Sequence, residues 1–122
     1  MINTDLKKLI ESNALALTTV SKDNKPHCIA VAFVKVIDED KLLITNNYLV
    51  DTIENIKTNP NVAIAVWAKN WDEFCEGFEL IGTAEHFTDE EWLYEIKQIP
   101  ENEGEPCRGA LVVTVTDLKK LA

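Results

Sequence analysis

From Ile44 to Asn55 the chain reads Ile-Thr-Asn-Asn-Tyr-Leu-Val-Asp-Thr-Ile-Glu-Asn: a β-prone end, a polar loop and the opening of a helix. The first amides of a helix have no partner within it, and the helix dipole adds positive potential there. Such a position can hold an anion, for instance a ligand phosphate. Thr45, Asn46, Asn47 and Thr52 bring hydroxyl and amide donors to the same approach. The same residue types also serve as loop and cap. Asp51 is itself an N-cap type, and a capping carboxylate would occupy those amides and repel phosphate. These residues therefore carry two readings, an anion site and a plain helix cap.

Other reactive types are scattered. His27 and His86 flank β-prone runs and read as surface or hydrogen-bonded structural residues rather than acid–base groups. Cys28, Cys75 and Cys107 are odd in number, widely spaced and without a C-x-x-C pair. Free, mostly buried thiols are expected, not disulfides or a zinc ligand set. No carboxylate pair and no Ser/His/Asp order suggests acid–base or nucleophilic catalysis. Trp67, Trp71 and Trp92 are expected as core or interface anchors, and the first two could also cover a flat ring. Arg108 is expected to pair with some of the 21 acids; its other reading is a place at a phosphate or a subunit boundary.

The elements that would position these residues follow from periodicity. Leu6, Leu9 and Ile10 predict an amphipathic helix over Asn3–Asn13. Leu15–Val20 and Pro26–Val34 flank a polar connection containing Asp23-Asn24, the pattern of a hairpin, with Pro26 at a strand start. Further strands are predicted at Lys41–Thr45, Val62–Trp67, Phe78–Ala84 and Ala110–Val115, with a turn at Asp38-Glu-Asp40. Asp51–Asn59 reads as a helix ended by Pro60. Thr88-Asp-Glu-Glu91 reads as a capping box opening a helix that stops before Pro100. Pro100–Pro106 reads as an acidic, mobile connection.

Several strands are apolar on both faces, which predicts a closed or nearly closed barrel. Small residues are expected inside it, with larger ones packed under helices or a partner chain. Gly82 within a strand predicts a bulge, a barrel corner or a close backbone approach.

At 122 residues, one domain with its own core is expected. The net charge of −9 argues against nucleic acid and anionic membrane surfaces, which need clustered Lys and Arg. The longest apolar run, Cys28–Val34, is too short for a membrane helix, and the N-terminus lacks signal-peptide order. A cytoplasmic protein is expected.

In order of elements the chain resembles the FMN-binding split-barrel family, the group that includes pyridoxamine-phosphate oxidases. The resemblance is closest to the small bacterial FMN-binding proteins. It rests on Leu15-Ala-Leu-Thr-Thr-Val20, Lys25-Pro-His27, Thr52-Ile-Glu-Asn55, Asn59-Pro-Asn-Val-Ala63, Leu80-Ile-Gly-Thr-Ala84 and Arg108-Gly-Ala-Leu-Val-Val-Thr-Val115. It implies a mainly β fold: a six-stranded antiparallel split β-barrel of Greek-key order with short flanking α-helices. It also implies a homodimer with FMN at the interface, acting in electron or hydride transfer with a redox partner or small-molecule substrate.

By this resemblance Ala30, Val31 and Ala32 would edge the isoalloxazine, and Thr45, Asn46 and Asn47 would line its polar rim. Asp51 and Thr52 would lie at the phosphate, and Leu121 and Ala122 would approach the flavin held mainly by the other subunit. Two departures stand out. Asp51 replaces a common Lys or Arg, and the Arg-rich C-terminal segment of true pyridoxamine-phosphate oxidases is missing, so that activity is not expected. The alternative is a binding module or dimeric scaffold of the same fold with weak or no FMN affinity, which could hold another flavin-like or nucleotide ligand.

Overall fold

A computed structural model describes residues 1–70 and 72–121, with Phe74 described in its backbone alone. Trp71 and Ala122, both named above as candidates near a ring, lie outside the described residues. The chain runs α1 (Thr4–Ser12), β1 (Leu15–Val20), β2 (Pro26–Val31), β3 (Lys35–Asp38), β4 (Lys41–Asn46) and α2 (Asp51–Thr58). It continues through β5 (Asn61–Asn70), β6 (Phe74–Phe87), α3 (Glu90–Lys97), a 3-10 turn (Pro100–Asn102) and β7 (Gly109–Lys120).

The strands pair antiparallel in the order β2-β1-β5-β6-β7-β4-β3. The two edge strands, β2 and β3, are consecutive in the chain and joined by residues 32–34 alone. Seven strands laid flat would hold those edges about 29 Å apart. The link can span at most roughly 14 Å. The sheet must therefore curl, and it closes into a barrel left open along a β2/β3 seam. This is a split barrel of the mainly β class.

Six strands are predicted from the sequence, and the structure has seven among its described residues. The apolar run Cys28–Val34 is not one strand. Pairing with β1 stops at Val31, the chain crosses the seam, and β3 pairs with β4 at Lys35↔Leu43 and Val36↔Leu42. Val31 and Val34 both face the core across the seam, so apolar patterning gives no sign of the crossing.

The barrel interior also reverses an expectation. Val62, Ile64 and Val66 of β5 point inward with Leu15, Leu17, Ile44, Leu80 and Leu111, while Ala63 and Ala65 face outward. The small residues instead flatten the outer surface, where Ala16 lies between Ala30 and Ala65 in register.

Helices α1 and α2 pack into the barrel core, and α3 packs outside it. Asn3 caps α1, its Oδ1 accepting from Leu6 N at 2.8 Å, and Leu6, Leu9 and Ile10 enter the core as predicted. Glu11 Oε2 accepts from Val36 N at 2.8 Å, which closes one open amide of the edge strand β3. Helix α2 buries Thr52, Ile53 and Ile56, and its N-cap is Val50 rather than Asp51. Helix α3 begins after Asp89 with no side-chain cap bond, so the box at Thr88 does not form. Ile96 of α3 packs with Leu43, Ala110, Val112, Ile99 and Cys107 in a second, smaller core outside the barrel.

The segment after α3, predicted to be mobile, is organised by its 3-10 turn and the buried Asn102. Gly82 sits where the β6–β7 register shifts, and an added Cβ would overlap the Thr114 carbonyl. Bulge and close approach therefore coincide there. Cys107 is buried, but Cys28 and Cys75 are exposed because they sit on outer strand positions.

Candidate functional site

Where β2 leaves the sheet, Val31, Ala32 and Phe33 face Thr45, Asn47 and Tyr48 at the end of β4. With Glu101, Asn102 and Glu105 they line a cleft of about 260 Å³. One wall is apolar. The other is a hydrogen-bonded network in which Asn102, 8% exposed, is the hub. Its Nδ2 donates to Thr45 Oγ1 at 2.7 Å and to the Ile96 carbonyl at 2.8 Å, while Oδ1 accepts from Asn47 Nδ2 at 3.5 Å.

Asn47 ties this wall to the strand that follows. Its Oδ1 accepts from Cys107 N at 2.9 Å and its carbonyl from Arg108 Nε at 3.0 Å. Cys107 holds a left-handed backbone at φ 49°. That geometry costs about 1–2 kcal/mol for a residue with a Cβ, and here it aims the amide at Asn47. Arg108, expected to pair with an acid, thus directs Nε to a carbonyl. Tyr48 is exposed, and its hydrogen bond with the Glu105 carboxylate holds the phenol above its ordinary pKa.

Of the eight residues singled out from the sequence, Val31, Ala32, Thr45 and Asn47 meet in this cleft. The other four lie around it. Ala30 is on the outer face opposite Ala16. Asn46 is buried, with Oδ1 accepting from Leu49 N at 2.9 Å and Nδ2 donating to His86 Nε2 at 3.2 Å. Asp51 is the exposed first residue of α2, and Thr52 is buried in its first turn. Phe33, Tyr48, Glu101, Asn102 and Glu105 were missed. Asn102 was the one with a signal, an amide inside an otherwise acidic run.

The donor set fits one part of a flavin better than the other. Apolar Val31 and Phe33 opposite Thr45 and Asn47 suit a flat ring with a polar edge. The first turn of α2 carries Asp51 and Glu54, and Lys57 is engaged with Glu54 at 2.9 Å. Two carboxylates at a helix start oppose a phosphate there.

A family model described as pyridoxamine 5'-phosphate oxidase matches residues 3–122. The chain belongs to that family. An uncharacterized protein of Methanocaldococcus jannaschii is 30% identical over 122 residues, covering 96% of this chain and 78% of the relative. Among solved structures, HupZ of Group A Streptococcus superposes with a TM-score of 0.88 at 21% identity, covering 99% of this chain and 94% of that one. An FMN-binding protein from Syntrophomonas wolfei gives 0.79 at 15% identity, covering 95% and 83%. HutZ, the heme storage protein of Vibrio cholerae, gives 0.69 at 18% identity, covering 97% and 93%. Identities this low establish the shared fold alone.

Proposed function

We propose that this chain is a small FMN-binding redox protein, with the isoalloxazine in the cleft between Val31–Ala32 and Thr45–Asn47. The convergence of those four residues from β2 and β4, in a member of this family, carries the reading. When bound, the flavin would supply the electron or hydride chemistry. The protein's part is to hold the ring against the apolar wall and offer Thr45 and Asn47 to its polar edge. A second copy packed on the outer alanine face around Ala16 would complete the site, and the cytoplasm is the expected compartment.

A binding module with weak FMN affinity is the second reading, favoured by Asp51 and Glu54 in the first turn of α2 and by Glu101 and Glu105 at the cleft. The visible spectrum of the purified protein separates the two. FMN is added, the sample is desalted, and flavin bands that stay with the protein support the first reading. A colourless protein that retains none supports the second.

A further inference from the structure

Asn46 and His86 belong to β4 and β6, which are separated by β7. Two strand spacings put such residues about 10 Å apart, and a side chain on the middle strand would normally stand between them. Here the middle residue is Gly109, paired with Asn46, and an added Cβ would overlap His86 Nε2. The missing side chain lets the two reach over β7 and bond at 3.2 Å.

The direction of that bond is fixed. Leu49 N–H can only donate, so the Asn46 atom it meets at 2.9 Å is Oδ1. Asn46 therefore turns Nδ2 toward the imidazole, and His86 Nε2 must accept. His86 is then neutral, with its proton on Nδ1. A protonated ring would bring a second N–H against the Asn46 amide.

We propose that His86 is the positioning residue of the loop 46–50, acting through Asn46 across Gly109, and that protonating its ring releases the Leu49 anchor. The loop links Thr45 and Asn47 of the cleft to the start of α2, so the device governs the shape of that wall whichever ligand it holds. The surroundings favour the neutral form. Burial lowers the imidazole pKa from its ordinary value, and Lys57 of α2 lowers it further. From β4 and β7 the neighbours are Asn46, Gly109 and the paired Leu111, none of them ionisable.

The test follows the full chain without ligand by NMR from about pH 8 to about pH 4.5. The Leu49 backbone amide and the Asn46 side-chain amide are expected to shift with the His86 ring at one midpoint below 6.5. At the high end the ring should show the Nδ1–H tautomer. In His86→Gln the carbonyl of the new side chain can still accept from Asn46, so the Leu49 signal should keep its high-pH position and stop titrating. A Leu49 amide that stays still while His86 titrates overturns the proposal. So does an Nε2–H tautomer at high pH, or a Leu49 shift that persists in His86→Gln.

Discussion

Asp51 bears on the proposed ligand through its charge. A carboxylate at the first position of α2 has the wrong sign for a phosphate, and Asp51→Lys reverses it. If the FMN phosphate sits at this helix start, the variant should bind FMN roughly threefold to tenfold tighter, measured by fluorescence titration. Unchanged affinity would mean that Asp51 faces no phosphate. Asn102 is the structural counterpart. Removing it takes the donor from Thr45 Oγ1 and leaves the Ile96 carbonyl to the longer bond from Ile99 N at 3.3 Å. Asn102→Ala is expected to lower stability by roughly 2–3 kcal/mol, read from urea unfolding. His86 adds a pH term of definite sign. Its folded pKa lies below the unfolded value of 6.5. Its contribution is therefore fully present above that pH, and is lost as pH falls through the folded value, because the unfolded chain takes the proton first. The wild type should lose more stability between about pH 8 and pH 5 than His86→Gln does.

At the scale of elements, backbone approach sets what can be changed. Where β6 shifts register against β7, Thr116 Oγ1 donates to the Ile81 carbonyl at 3.2 Å and Gly82 lies against Thr114. Gly82→Ala pushes a Cβ into backbone that has no rotamer to yield. A loss of about 1–3 kcal/mol is expected, seen as a lower denaturant midpoint with an unchanged slope. The helices were legible because each has a short apolar stripe, as in Leu6, Leu9 and Ile10. Their caps were less so. Asn3 caps as its type suggests, whereas Val50 precedes α2 and Asp89 precedes α3 without a side-chain bond. A cap depends on the chain's entry direction, which packing decides.

At the scale of the whole molecule, the barrel's outer face is unusual for its flat row of small residues. Ala30, Ala16 and Ala65 lie side by side across β2, β1 and β5, and Trp67 further along β5 is 53% exposed. If a second copy covers this face, Ala16→Arg should yield a folded monomer by analytical ultracentrifugation where the wild type sediments as a dimer. An arginine at this half-exposed outer position leaves the interior untouched, so loss of the dimer would report the face itself.

The sequence by itself determined the antiparallel β character, the three helices, the hairpin at its start and the special place of Gly82. These depend on local periodicity and on the backbone limits of single residues. It also brought forward Val31, Ala32, Thr45 and Asn47. Tertiary structure decided the rest. The seam that turns one apolar run into two strands exists because three residues must join the edges of a curled sheet. Large side chains fill the interior because the barrel has room for them, and the alanines are left outside. Asn102 meets Thr45, and His86 meets Asn46, through separations of 57 and 40 residues. No local pattern encodes which side chains a closed barrel brings together.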